Sequence, residues 1–249
     1  MKKIILSAII ALLPLTGYSA TILGFQAGGG SWKHKPSGDI TASEGGVGTT
    51  ADLQNDLQLS EKSEGYSYFI LEHPVPLVPN IKYITTKLSS SGSGNVTATF
   101  DFNGQTYATN ASVTTFLDLD QTDTILYYEI LDNGFISLDL GLAAKSIDGK
   151  ASVDDGTNSD VTSFSGTIPM LYAAVEIGLP AGFALSADIS TISAAGNTIS
   201  DVTTKVTYTS DYFFGVEAGL RSQTYDIDVD SVKAKMKFSG IFAGVFFKF

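Results

Sequence analysis

The chain has 249 residues, a formal net charge of −11, no cysteine and only two histidines. The acidic balance excludes nucleic-acid binding, since a phosphate backbone is held by clustered lysine and arginine, and the lack of cysteine removes disulfides as a means of stabilisation. Although 43 % of the residues are hydrophobic, none lie in an uninterrupted apolar run of about 18 residues, the length of a membrane helix; the apolar content is dispersed.

Residues 1–20 read as a secretory signal peptide. Lys2 and Lys3 form a positive start, "IILSAIIALL" is an apolar run too short to span a bilayer, and "PLTGYSA" supplies small residues for cleavage after Ser19 or Ala20. Removing this segment, which holds two lysines and no acid, takes the charge to −13. Residues 21–249 are then one domain.

That domain alternates with a period of two. Strands are expected at about 21–35, 65–73, 80–90, 113–131, 135–146, 165–179, 183–194, 198–210, 212–226 and 234–249. In "YFFGVEAGLRSQ", Phe214, Val216, Ala218 and Leu220 share one face, and Gly215, Glu217, Gly219, Arg221 and Gln223 the other. The last strand carries Ile241, Ala243, Val245, Phe247 and Phe249 on one face, and Phe238, Gly240, Phe242, Gly244 and Phe246 on the other. A soluble sandwich would show water a face rich in Lys, Glu and Thr. Here that face is Gly, Ala and Ser with isolated charges, which suits a narrow packed lumen, while the aliphatic face suits lipid. The fold class is all-β, an antiparallel transmembrane barrel of about ten strands, with eight and twelve left open.

Short turns at "HPVPLVPN", "LDNGF", "LPAGF" and "TSDYF" alternate with longer polar stretches at 36–64, 91–112, 147–164 and 227–233, as periplasmic turns and external loops do. Asn103-Gly104 in "VTATFDFNGQTYAT" marks a small external hairpin, whose inclusion in the wall would give twelve strands. Leu53, Leu57 and Leu59 have weak helical spacing that fits a short helix over the barrel mouth.

On this register Glu129, Asp139, Lys145, Glu176, Asp188, Asp201, Lys205, Glu217 and Arg221 point into the lumen. They are either the lining of a charged channel or a network of ion pairs filling a narrow barrel, because buried charges seek partners whether or not anything passes. Partners for Glu217 and Arg221 would mark the filled lumen, which Phe238, Phe242 and Phe246 would block further.

No catalytic or cofactor site is expected. His73 belongs to a proline-rich turn. His34, between Lys33 and Lys35, reads as part of a basic cluster touching anionic sugars or phosphates rather than as a hydrolase base. Asp154, Asn158 and Asp160 have oxygen-rich spacing, but no bidentate Glu follows at the calcium-loop position, so no metal site is assigned.

Several runs resemble a family of small Gram-negative outer-membrane β-barrel proteins generally described by location alone: "EHPVPLVPNIKY" (72–83), "FLDLDQTDTILYYEILDN" (116–133), "LDLGLAAKSIDG" (138–149), "PMLYAA" (169–174) and "GVEAGLRSQ" (215–223). Gly244, Phe247 and Phe249 are similar to the C-terminal signal read by the outer-membrane assembly machinery, with Ala243 standing where a polar residue is often found. The resemblance implies export, insertion in the outer membrane, and contact with its lipid and lipopolysaccharide. It implies no substrate. The expected function is a structural or surface-interaction role with passage of small solutes left open; a dedicated pore is the alternative, and an envelope lipid hydrolase a third.

Overall fold

The computed structural model describes residues 23–44, 47–97, 99–102, 104–229 and 232–249. The expected signal peptide (1–20) and Asn103 of the hairpin turn lie outside the described residues. The strands in chain order are β1 (Gly24–Glu44), β2 (Val47–Asp52), β3 (Lys62–Glu72), β4 (Asn80–Thr86), β5 (Ser89–Asn95), β6 (Phe100–Phe102), β7 (Gln105–Tyr107), β8 (Ser112–Asp132), β9 (Ile136–Asp154), β10 (Ser159–Gly178), β11 (Phe183–Ala194), β12 (Asn197–Thr209), β13 (Phe214–Val229) and β14 (Val232–Lys248).

Ten staves close into an antiparallel barrel. β4 and β5 pair with successive parts of β8 and count as one stave, interrupted at Lys87 and Leu88. β14 closes on β1 from Gln26↔Lys248 to Ala42↔Val232. β2 folds back along the outer part of β1, and β6 and β7 form a separate hairpin, so neither enlarges the wall. This settles the count at ten.

The segments 147–164 and 227–233, expected as loops, are largely strand: β9 and β10 meet at a turn near residue 156, and β13 and β14 run out to Val229 and back from Val232. The segment 36–64 is likewise mostly strand. Leu53, Leu57 and Leu59 are buried as expected of a cover, but in turns rather than a helix. Asp52 fixes that turn, its Oδ1 accepting from the N–H groups of Gln54 and Asn55 at 2.9 and 2.7 Å.

Around the outside, Leu126, Leu140, Leu142, Leu171, Val175, Leu185, Val206, Val216, Leu220, Ile241 and Val245 are exposed and contiguous. About four alternating positions per stave give a belt roughly 20 Å high at 3.3 Å per residue and ordinary barrel tilt. On the side of the short turns the belt ends in aromatic rings, including Phe135, Phe183, Tyr212, Phe213, Phe214, Phe247 and Phe249. On the side of the long connections it ends in hydroxyls: Ser67, Thr85, Thr122, Ser146 and Thr167 face one another across five staves. An apolar belt on a closed antiparallel barrel is the signature of a strand-crossing membrane protein.

The seam between β1 and β14 depends on small residues. Gly30 and Gly244 are opposite one another, and a Cβ on Gly30 would lie 2.1 Å from the Ala243 carbonyl oxygen. A Cβ on Gly244 would lie 2.4 Å from the Tyr66 hydroxyl. Gly244→Val should therefore cost about 1–3 kcal/mol through overpacking and reduce the folded, fast-migrating band on unheated gels. Gly166→Val, with no atom within 4 Å of its Cβ, is the control and should leave that band unchanged.

Candidate functional site

Inside the wall the side chains sort into levels. At mid-height the carboxylate of Asp201 (β12) accepts two hydrogen bonds from Arg221 (β13), from Nε at 3.0 Å and Nη2 at 2.7 Å. It also accepts from Lys145 Nζ at 3.1 Å and Gln223 Nε2 at 2.9 Å. Lys145 reaches across to β8, bonding Gln121 at 2.6 Å and pairing with Asp123 at 2.8 Å. Gln121 and Gln223 bond each other reciprocally from opposite walls, at 2.9 and 3.1 Å. Arg221 further donates to Thr86 and lies over the Trp32 ring at 5.2 Å. Lys145 and Gln223 are fully buried. Two cations and two anions make this tier neutral.

A second neutral tier lies one step nearer the short turns. Glu217 accepts from Tyr66 at 2.7 Å, Tyr68 at 3.3 Å and Lys205 at 2.9 Å. Lys82 (β4) pairs with Asp188 (β11) across the lumen at 3.0 Å. Charges inside a narrow barrel are costly alone and tolerable when paired and hydrogen-bonded, and here each has a partner.

Beyond these tiers the two ends differ. Toward the short turns lies a cavity of about 440 Å³, lined by Glu72, Glu129, Asp139 and Glu176 among others, with Lys248 at its edge. Glu129 and Asp139 face each other directly across β8 and β9. Glu72 accepts from the Tyr127 hydroxyl at 2.9 Å. Among the described residues these four carboxylates form no ion pair. Toward the long connections the lumen is filled by a continuous apolar core: Trp32, Leu117, Leu119, Ile147, Met236 and Phe238 within the wall, then Leu53, Leu57, Leu59, Phe100 and Tyr107 from the segments folded over it.

Of the nine charged residues expected in the lumen, Lys145, Asp201 and Arg221 lie in the first tier, and Asp188, Lys205 and Glu217 in the second. Glu129, Asp139 and Glu176 line the cavity. Glu217 and Arg221, the residues whose partnering separates a filled lumen from a channel, are both fully engaged. Lys82, Gln121, Asp123 and Glu72 also belong to the site and are easily passed over. Asp123 and Gln121 have the same odd parity as Glu129 along β8, and that was the available signal.

The histidines form no catalytic pair. His34 points inward, fully buried beside Trp32 and Phe238, while Lys33 and Lys35 point outward, because successive strand residues take opposite faces. It is therefore no part of a basic cluster, and neither ring nitrogen has a hydrogen-bond partner among the described residues. His73 braces its turn, its Nδ1 accepting from the Val75 N–H and its Nε2 meeting the Pro79 carbonyl, both at 3.2 Å. The oxygen-rich run is equally occupied. Asp155 Oδ1 accepts from the N–H groups of Thr157 and Asn158, which hold its carboxyl below the usual carboxylate range, and Asp160 accepts from Tyr107. Phe249 closes the inner end of the seam: its N–H donates to the Phe25 carbonyl at 2.9 Å, and the Phe25 N–H donates back at 2.8 Å.

A closed barrel with a lipid-facing exterior and a packed polar lumen is the fold of Gram-negative outer-membrane proteins. The outer-membrane protease OmpT of Escherichia coli is similar in structure, with a TM-score of 0.53 over 95 % of this chain and 99 % of that one at 11 % identity. The Yersinia pestis attachment invasion locus protein Ail, solved with the heparin analogue sucrose octasulfate, gives a TM-score of 0.36 at 10 % identity over 92 % of this chain and 100 % of its own. No family model matches the chain, and no curated protein matches it. The likeness to OmpT concerns the fold, and activity does not travel with a fold.

Removing one partner from the first tier would strand the rest. Asp201→Asn should destabilise the barrel by about 3–5 kcal/mol, because Arg221 and Lys145 would share only Asp123. Urea unfolding in lipid vesicles measures this, and Asp201→Asn combined with Lys145→Met should recover part of the loss.

Proposed function

We propose that the chain is an outer-membrane barrel with a closed lumen, exported by removal of residues 1–20, that serves the envelope as a structural or surface-interaction protein. The observation that supports this most directly is the first tier, where Asp201, Arg221, Lys145, Gln121 and Gln223 are hydrogen-bonded to one another across the lumen from opposite walls. A solute path would have to part these groups and then displace the apolar core above them. The cavity at the other end is a blind vestibule in this reading. Gly244, Phe247 and Phe249 act as the signal for the outer-membrane assembly machinery, and the family resembled by residues 72–83 and 116–133 is the group to which the chain belongs. Lipid and lipopolysaccharide are its immediate partners.

Planar-bilayer recording of the refolded protein tests the closed lumen. The expected trace is silent at moderate voltage, while Arg221→Ala combined with Trp32→Ala gives discrete openings. Reproducible steps from the unaltered protein would make it a pore.

A further inference from the structure

The outer face of the barrel carries its positive charge unevenly. Lys33, Lys35, Lys233, Lys235 and Lys237 all stand on the outward side of two neighbouring staves, β1 and β14, in a chain with only fifteen lysines and arginines. Lys33 lies opposite Ile241, the top of the apolar belt; Lys35 lies opposite Ser239, and Lys237 opposite Ser37. Successive rungs are about 7 Å apart along the strands, so the ladder begins where lipid ends.

Three of the five are matched by acids: Lys33 with Glu61 at 2.8 Å, Lys233 with Asp228 at 2.9 Å, and Lys235 with Asp226 at 4.0 Å. Lys35 and Lys237, diagonal neighbours and both exposed, form no ion pair among the described residues. Like charges on adjacent strands are destabilising, yet these two remain unmatched in an acidic protein. On the far side of the barrel, by contrast, Lys87 pairs with Asp120 and Lys150 lies opposite Asp118.

We infer that Lys35 and Lys237, with Lys33 beneath them, hold the phosphates of a phosphorylated glycolipid in the outer leaflet. The position supports this. The patch is on the side of the long connections, one to two rungs above the belt, at the depth of headgroups. Ammonium groups there supply the charge a phosphate needs, and the neighbouring hydroxyls of Ser37, Ser222, Ser239 and Thr224, which share this face, suit a sugar better than a glycerol headgroup. The proposal rests on the outer-membrane reading above but not on the closed lumen, so conductance could overturn that without touching this.

Native mass spectrometry of the refolded protein in neutral detergent, first confirmed as folded by its gel mobility, gives the test. Diphosphoryl lipid A should be retained about tenfold or more tightly than its dephosphorylated form, the scale expected of two lysines near a membrane surface. Lys35→Gln with Lys237→Gln should remove that preference, and Lys87→Gln with Lys150→Gln should leave it. Equal retention of the two lipids by the unaltered protein would overturn the proposal, and that comparison needs no variant. So would an unchanged preference in the Lys35/Lys237 variant, or equal retention of phosphatidylglycerol, or competition by inorganic phosphate at equal strength, each of which would leave only a generic anion surface.

Discussion

Everything in this structure depends on the pairing of β14 with β1. In hydrocarbon no water is available for a free N–H or C=O, and an open sheet edge would leave a row of them. The pairing runs the length of both strands, from Gln26↔Lys248 outward, and the reciprocal bonds of Phe25 and Phe249 fasten its inner end. Once the sheet is closed, period-two alternation has a fixed meaning, with one face to lipid and the other to a lumen only ten staves around. The glycines at 30 and 244 are small because the closing strands and Tyr66 crowd that place.

A lumen this narrow decides the fate of its charges. All eight in the two tiers are engaged by groups from other strands, across the barrel in the case of Lys82 with Asp188 and Lys145 with Asp201. Arg221 is suited to its position because a planar fork can take both Asp201 oxygens, donate to Thr86 and lie over Trp32 at once. The tiers are neutral in sum, so the lumen carries no net charge at mid-height.

The strands within the belt were legible in the sequence because lipid imposes a simple rule, aliphatic outside and small or charged inside. The rule reverses where the staves leave the membrane. Along β8, Leu126 and Tyr128 face out while Asp123 and Glu129 face in; farther out, Asp118 and Asp120 face out while Leu117 and Leu119 face in. β14 does the same, with Ile241 and Val245 outward in the belt, then Lys235 and Lys237 outward over buried Met236 and Phe238. A reader expecting one polarity along the whole stave meets the reversed half as polar and irregular, and takes 147–164 and 227–233 for loops. The partners across the lumen were hidden for another reason: Gln121 and Gln223 are 102 residues apart, and no local pattern links them.

The reversal divides the barrel into two bodies held together by different forces. Within the belt the lumen is polar and lipid supplies the apolar surroundings. Beyond it, water surrounds the staves, and the apolar core of Trp32, Leu119, Phe238 and Tyr107 is assembled by the hydrophobic effect. The outer body is thus a continuation of the same barrel surrounded by water, and its apolar core fills the lumen there because its own stability requires the space to be filled. Side chains freed from that core are those on its outer face, and the boundary between the two bodies is where lysine stands next to lipid. Closure of the interior and specialisation of the exterior therefore have one cause, the change of solvent along each stave.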